Sequence, residues 1–474
     1  MAQTIKADIC VIGAGSGGLS VAAGAAQMGA RTVLIERGEM GGDCLNTGCV
    51  PSKALLAAAK HAYMMGEGEP FGIGKAKPKV DFEKVNAHVK GVIAAIAPND
   101  SIARFEGLGV TVIKEHARFK DARTVVAGRK EIRARRFVVA TGSHPAVPPI
   151  PGLDSVPFLT NETIFNNTTR PDHLIVIGGG PIGMELAQAH RRLGSKVTVI
   201  EAAKVLAKDD PELSAFVADR LIREGVDIRE GAKVARVEGE AGRISVTVEE
   251  GGTTSTIEGT HLLVATGRKP TTDGLDLDKA GIETDAHGIK VDDRLRTRNK
   301  RVFAIGDAIG GLQFTHVANY HAGIVIRNAL FRLPAKVDYG AIPWVTYTDP
   351  ELAHVGITEA EARARHMKIN VLRWHLAEND RAQAERETEG EIKLVTDMHS
   401  RILGCTIVGP HAGELILPWV LAKSQALKLS AMAGIVAPYP TLSEISKRAA
   451  SSYYTPTLFS AKTRAIVRFL GLFG

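Results

Sequence analysis

The sequence predicts an α/β protein of several domains, and three observations carry that expectation. A strand, a glycine turn, a small-residue helix and a second strand occur twice in one register. Each copy is closed further along the chain by an apolar strand ending at a Thr-Gly corner. From Ala341 onward the texture changes to alternating strands and short charged helices, the pattern of a separate α+β domain. At 474 residues, 45% of them hydrophobic and 23% charged, the chain has material for roughly three cores of ordinary size.

In the first copy, Asp8-Ile9-Cys10-Val11-Ile12 leads into Gly13-Ala14-Gly15-Ser16-Gly17-Gly18, and a helical Ala/Leu stretch then precedes Thr32-Val33-Leu34-Ile35-Glu36. The second copy runs from His173-Leu174-Ile175-Val176-Ile177 through Gly178-Gly179-Gly180-Pro181-Ile182-Gly183 to Val197-Thr198-Val199-Ile200-Glu201. Gly178 follows Gly13 by 165 positions, and Glu201 follows Glu36 by the same 165. In each copy the first glycine (Gly13, Gly178) permits the turn. The second (Gly15, Gly180) lets backbone approach a pyrophosphate, and the third (Gly18, Gly183) lets helix pack on strand. The phosphate then rests on the helix N-terminus. Glu36 and Glu201 each follow the middle glycine by 21 positions, near the spacing at which a carboxylate accepts ribose hydroxyls. One such motif is weak, because a structural turn explains it as readily. Two in register, each with strand, helix and acid, predict two Rossmann-like dinucleotide-binding domains.

The closing strands are Val138-Val139-Ala140-Thr141-Gly142-Ser143 and Leu263-Val264-Ala265-Thr266-Gly267-Arg268. A third apolar strand, Arg301 to Ile305, ends at Gly306-Asp307 and is expected to return the chain to the first domain. The predicted boundaries are residues 1–150 with 271–342, residues 151–270, and residues 343–474. In the last of these, Pro343 to Tyr347 alternates as a strand, Thr358 to Met367 reads as a charged helix, and the Ile392 and Ile402 regions read as strands. Helices at Gly413–Leu417 and Ser443–Ala450 offer apolar faces for a dimer contact or for their own core.

A formal charge of +7 permits contact with anionic partners, but the basic residues are interleaved with 52 acidic ones and form no long block, so nucleic acid is not an expected partner. The start of the chain lacks the charged, apolar and cleavage segments of an export signal, and no stretch of about 18 apolar residues occurs. A cytoplasmic location is expected. Four cysteines are too few for a disulfide framework. Cys10 and Cys405 lie in apolar strand patterns, where a thiol behaves as a small core hydrophobe.

Cys44 and Cys49 are different. They occur in Gly41-Gly42-Asp43-Cys44-Leu45-Asn46-Thr47-Gly48-Cys49-Val50-Pro51-Ser52-Lys53, directly after the first ribose-binding acid. Thiols five positions apart meet only across an irregular or bent helical turn, which Gly48 and Pro51 help to shape. Two cysteines with no nearby histidine or second pair fall short of a zinc set, and no metal site is expected. A reducible bridge with redox function is the reading these residues favour.

The run Gly41 to Lys53, the paired glycine motifs, the Ala-Thr-Gly corners, Gly306-Asp307 and Pro440-Thr441-Leu442-Ser443-Glu444 closely resemble the flavoprotein disulfide reductases: dihydrolipoamide dehydrogenase, glutathione reductase and mercuric reductase. The resemblance covers nearly the whole chain. It implies FAD on the first fold, a nicotinamide nucleotide on the second, and a C-terminal domain that completes the partner's active site in a homodimer. It further implies cofactor contacts at Gly13, Gly15, Gly18, Glu36, Arg37, Gly42, Asp43, Lys53, Ala117, Thr141, Gly142, Ser143, Asp307, Thr315 and His316, and at Gly178, Gly180, Gly183, Glu201 and Gly267. By the same likeness Cys49 faces the flavin, Cys44 is the interchange thiol, and Lys53 pairs with Glu185 near the ring. Electrons then run from the nicotinamide through the flavin to the disulfide and on to a small-molecule disulfide, thiol or soft-metal acceptor. Glu201 favours NADH over NADPH, since a carboxylate at the ribose edge repels a 2′-phosphate. Lys204 nearby counts against it.

The family pattern breaks in two places. The dihydrolipoamide and glutathione enzymes carry a histidine before Pro-Thr, paired with the glutamate five positions later. Here Tyr439 stands in that place, ahead of Glu444. A phenol is a poorer proton shuttle at neutral pH than an imidazole. Tyr439 is left with three roles: hydrogen-bond donor to a thiolate, lining of a metal-ion path, or interface packing. Mercuric reductases resemble this chain in having a tyrosine there, but they end in a vicinal cysteine pair, and here no thiol follows Cys405. The leading expectation is a reductase of a disulfide or soft electrophile. Dihydrolipoamide dehydrogenase is the alternative, and a flavin electron-transfer component docking to a membrane or protein is the alternative of another class. Residues 461–474, beyond the usual family ending, mix Lys462, Arg464 and Arg468 with Ile466, Val467, Phe469, Leu470 and Phe473. This is the pattern of a basic amphipathic helix, for a membrane surface, a partner protein or its own dimer.

Overall fold

The computed structural model describes residues 3–473. They divide into two compact units: the run up to Ala202 together with Gly231–Asp338, and Ala203–Glu230 together with Tyr339 onward.

The first unit begins with β1 (Gln3–Ile12), α1 (Ser16–Gln27) and β2 (Thr32–Ile35). Alternation along β1 explains its place at the centre of the sheet. Ile9 and Val11 enter one apolar cluster, with Leu34, Val138 and Phe303, whereas Cys10 and Ile12 enter another, with Ile35, Phe137 and Val139. A strand buried on both faces belongs inside a covered parallel sheet. The sheet order is β3 (Thr111–Ile113), β2, β1, β6 (Lys130–Val139), β5 (Thr124–Ala127), β4 (Ala117–Asp121), with Val302–Ala304 pairing parallel to β6. The expected return of the chain at Arg301–Ile305 is therefore present.

The second glycine turn lies in the same unit. Its strand His173–Ile177 is flanked by Lys196–Glu201 on one side and His261–Val264 on the other, all parallel. Helix Pro181–Arg192 follows the turn. A three-stranded antiparallel layer, Ala232–Glu240, Arg243–Glu250 and Thr253–Gly259, is inserted before the closing strand. Cys10 is fully buried, and burial pushes its thiol up.

The second unit is built on a five-stranded antiparallel sheet in the order Pro343–Thr346, Glu351–Gly356, Ile402–Gly409, Glu391–Asp397, Ile369–His375. Cys405 is buried in the same core as Trp419, with its thiol likewise pushed up by burial. Segment Ala203–Glu230 belongs here for an electrostatic reason. The Lys393 ammonium, 3% exposed, lies 2.8 Å from carboxylate oxygens of Asp210, Glu212 and Glu359. A buried cation persists only with such partners.

Two helices differ from their predicted extents. The charged helix expected over Thr358–Met367 covers only Glu359–Ala364, opened by a Thr358–Glu361 capping box. It stops because His366 takes a left-handed backbone, φ 53°. The predicted Gly413–Leu417 helix is the junction of two helices, Ala412–Leu415 and Leu417–Ser424.

Candidate functional site

Both glycine turns have the geometry their spacing predicts. Gly13 and Gly178 adopt φ of 103° and 111°, and a side chain at either would collide with the carbonyl of Ala140 or Ala265. Gly18 and Gly183 press against the carbonyl oxygens of Gly13 and Gly178, so any Cβ would separate helix from strand. Between them, a Cβ built on Gly15 or Gly180 meets nothing within 4 Å. That open face, above a helix N-terminus with no side-chain cap among the described residues, is what a pyrophosphate needs. Glu36 accepts from the backbone N–H of Ala14 at 2.5 Å and of Gly38 at 2.6 Å, and Glu201 accepts from Gly179 at 2.7 Å. The acids therefore stand at the mouths of their turns, and the residues fit two dinucleotides.

The cysteines follow the first acid. Gly41 and Gly42, both at positive φ, turn the chain into a short helix, α2 (Gly42–Asn46), that carries Cys44. Thr47 and Gly48 break it, and α3 (Cys49–Met64) starts on Cys49. Gly48 is required because a Cβ there would come within 2.8 Å of the Asp43 carboxylate. Pro51 is accommodated in the first turn of α3, where no intrahelical donor is lost. The expected irregular turn between the thiols is thus a helix break.

The thiols are free and hydrogen-bonded to each other, and Cys49 Sγ also lies 3.5 Å from the Thr315 hydroxyl. The Cys49 thiol is lowered to about 6, first by the bond from Cys44, then by Thr315 and the charge of Lys53, against an opposing cost of burial. The Cys44 thiol is pushed up, chiefly because its proton is held by Cys49. A helix N-terminus favours the thiolate in the same direction. One turn into α3, Lys53 Nζ donates to Glu185 Oε2 at 2.7 Å. Glu185 is buried on helix Pro181–Arg192, so the pair ties the redox helix to the second nucleotide fold.

A polar network surrounds the turn. Asp43 Oδ1 accepts from the Thr47 hydroxyl at 2.8 Å and from Asn161 Nδ2 at 3.0 Å, and lies 3.3 Å from Arg268 Nη2. Arg268 Nε donates to the Ser143 hydroxyl at 2.7 Å, which donates to Asp307 Oδ2 at 2.5 Å. Burial pushes the Asp307 carboxyl up from its ordinary range. The fully buried His321 is lowered to about 4 by desolvation, and its neutral Nδ1 accepts from the backbone N–H of Gly306 at 3.2 Å, fixing the Gly306-Asp307 corner.

The structure therefore brings together Gly42, Asp43, Cys44, Cys49, Lys53, Ser143, Glu185, Asp307 and Thr315. Thr141 joins at the neighbouring corner, donating to Thr271 O at 2.6 Å, and Gly142 and Gly267 make their corners at φ of 69° and 127°. His316 stacks on Phe314 at 5.3 Å beside Thr315. Arg37 directly follows Glu36. Ala117 begins β4 with its methyl in the core. Sequence reasoning missed Asn161, Arg268 and His321. Only Arg268, quoted at the end of a Thr-Gly corner, carried a usable signal.

Tyr439 and Glu444 lie in the second unit. Tyr439 is 70% exposed, and its hydroxyl donates to Asp380 Oδ2 at 2.9 Å. That bond, and the negative charge of Asp380 behind it, raise the phenol from its ordinary value. Its partner within the chain is thus Asp380, which sequence reasoning did not single out. Glu444 opens helix Glu444–Ser452. Lys204, weighed against NADH, is paired with Glu230 at 2.5 Å. Among the described residues no group of His, Cys, Asp and Glu is arranged to hold a metal ion, and no helix is long and apolar enough to cross a membrane.

Comparison with known proteins divides the chain near residue 340. The pyridine nucleotide-disulphide oxidoreductase profile matches residues 7–322, and the dimerisation domain of those proteins matches residues 342–450. The chain is 37% identical over 451 residues to a mercuric reductase of Lysinibacillus sphaericus, covering 94% of this chain and 82% of the relative. It is also 37% identical over 459 residues to a dihydrolipoyl dehydrogenase of Thermus scotoductus, covering 94% and 97%. Among solved structures, LpdA from Mycobacterium tuberculosis superposes with a TM-score of 0.86 at 26% identity, covering 95% of this chain and 99% of that one. A Cu(II) complex of the HOCl-induced flavoprotein disulfide reductase RclA from Escherichia coli gives 0.84 at 28%, covering 93% and 98%.

Proposed function

The chain belongs to the pyridine nucleotide-disulphide oxidoreductase family, and from that premise we propose that it is an NADH-driven reductase of a small disulfide or soft electrophile, working through Cys44 and Cys49. As a family member it is an FAD- and NAD(P)H-dependent disulfide oxidoreductase with a dimerisation domain. The observation that carries the reading is the thiol pair on either side of the break between α2 and α3, one turn before the Lys53–Glu185 ion pair.

FAD, when bound, supplies the relay between a hydride taken from the nicotinamide and an electron pair delivered to sulfur. This chain's residues do the rest. The glycine turns and their acids hold the two dinucleotides, and Lys53, oriented by Glu185, provides positive charge beside the redox helix. Reduction of a Cys44–Cys49 bond takes two electrons and one proton and leaves a Cys49 thiolate beside a Cys44 thiol, the protonation that their hydrogen bond favours. Cys44 then loses its proton and attacks one sulfur of the acceptor, releasing the other as a thiolate that takes up that proton. Cys49 displaces the remaining sulfur, which is protonated from solvent, as the Cys44–Cys49 bond re-forms.

Glu201 supports NADH, because the carboxylate at the second turn opposes a 2′-phosphate and Lys204 is already neutralised by Glu230. Tyr439 argues against fast dihydrolipoamide oxidation. Its raised phenol stays protonated at neutral pH and serves as a donor in a partner's acceptor site, with Glu444 behind it. The identity to dihydrolipoyl dehydrogenases favours the second reading, that dihydrolipoamide is the substrate. Steady-state turnover with dihydrolipoamide, glutathione disulfide and mercuric ion separates the two. We expect dihydrolipoamide to be the slow one, and Tyr439→His to raise its rate about tenfold or more. Fast dihydrolipoamide oxidation by the unaltered protein would sink the proposal.

A further inference from the structure

The last thirty residues combine two features that the proposed chemistry does not use. Between Glu444 and the end of the chain there is no acidic residue, but there are five basic ones: Lys447, Arg448, Lys462, Arg464 and Arg468. The same stretch ends in helix Ala461–Leu470, of which no residue is buried against the rest of the chain. The helix holds itself together. The Ser460 hydroxyl caps it by accepting from the Thr463 N–H at 3.2 Å, and Arg464 Nη2 donates to the Phe459 carbonyl at 2.8 Å.

At about 100° per residue, Ile466, Val467, Phe469, Leu470 and Phe473 fall within an arc of about 160°, and Arg464 and Arg468 lie opposite. The arc continues past the helix end, where Phe473 packs edge-on against Phe469 with ring centroids 5.2 Å apart. These side chains are 48–75% exposed. Lys462 falls on the apolar arc, but its stem is long enough to carry the ammonium outward.

Exposed apolar side chains backed by cations alone need a cover that is apolar and bears negative charge. The match to the dimerisation domain ends at residue 450, so the helix lies beyond the part of the chain that the domain accounts for. A second tail is a poor cover, because it would bring five more cations and no anion. We propose that residues 461–473 form an in-plane anchor on an anionic lipid surface, with the phenyl and aliphatic side chains entering the acyl boundary and Arg464 and Arg468 pairing with headgroup phosphates.

Flotation of the full-length holoprotein with phosphatidylcholine vesicles, with and without phosphatidylglycerol, tests this. The intact chain should float with the phosphatidylglycerol vesicles and not with phosphatidylcholine alone, and added salt should weaken the binding. Deleting residues 461–474 should abolish flotation, as should Phe469→Ser with Leu470→Ser, a milder change that guards against misfolding of the deletion. Arg464→Gln with Arg468→Gln should weaken binding about tenfold at low salt. Flavin content and oligomeric mass should stay unchanged in every variant. Failure of the intact chain to float, equal flotation with both lipids, or a change in oligomeric mass on deletion would each overturn the proposal, the last by assigning the helix to a second copy.

Discussion

The two glycine turns are the same object built twice, and they part only after the acid. Both place a first glycine at φ above 100°, open the middle glycine to a ligand and press the third against the first. After Glu36 the chain enters two positive-φ glycines and the broken helix that presents Cys44 and Cys49. After Glu201 it runs through Ala202, Ala203 and Lys204 into the region of the Lys393 ion-pair cluster. Equal turns offer equal cradles, so on the proposed function what distinguishes a site that reacts from one that only binds is the segment attached to the turn. The second copy still contributes to the reactive one, because Glu185 on its helix holds Lys53.

The sharpest way to break the comparison is to spoil each turn separately. Gly18→Val drives a side chain into the Gly13 carbonyl and should yield a colourless protein without flavin. Gly183→Val meets the Gly178 carbonyl in the same way and should leave the protein yellow but raise KM for the nicotinamide by about a hundredfold or more. Absorbance spectra and steady-state kinetics check both. If both variants lose flavin, or both keep it, the assignment of one nucleotide to each copy fails.

A smaller effect is expected at the acids. Glu201→Ala removes the carboxylate at the second turn and should shift the ratio of kcat/KM for NADPH over NADH by about tenfold towards NADPH, roughly 1.4 kcal/mol. An unchanged ratio would show that the acid does not set the preference.

The smallest effect concerns the charge beside the thiolate. Because the Cys49 thiol is lowered to about 6, its alkylation rate in the reduced protein should be flat above that pH and fall as pH drops through it. An ordinary thiol loses reactivity some two to three pH units higher. Lys53→Met removes one of the lowering influences and should move the midpoint up by about half a unit. A midpoint near 9 in the unaltered protein would remove the thiolate from the account.

Local patterns were legible because their physics is local. Glycine spacing, strand alternation and a cysteine pair next to an acid are read within about thirty residues, and each maps onto an observed turn, strand or helix break. The contacts that finish the site are not local. Asn161 reaches Asp43 across 118 positions and Arg268 reaches Ser143 across 125, and no spacing rule joins such pairs. Asp380 was invisible for the same reason, although Tyr439, 59 residues away, was singled out. Helix ends were misjudged where a non-glycine residue took a left-handed backbone, as at His366, since composition marks that conformation well only for glycine and asparagine.

The central claim is that electrons pass through the sulfur pair. It is tested most directly by anaerobic titration of the purified flavoprotein with NADH or dithionite, counting reducing equivalents per flavin. The unaltered protein should take up about two electron pairs per flavin, one for the ring and one for the Cys44–Cys49 bond, and Cys44→Ser only about one. A single pair in both would contradict the account.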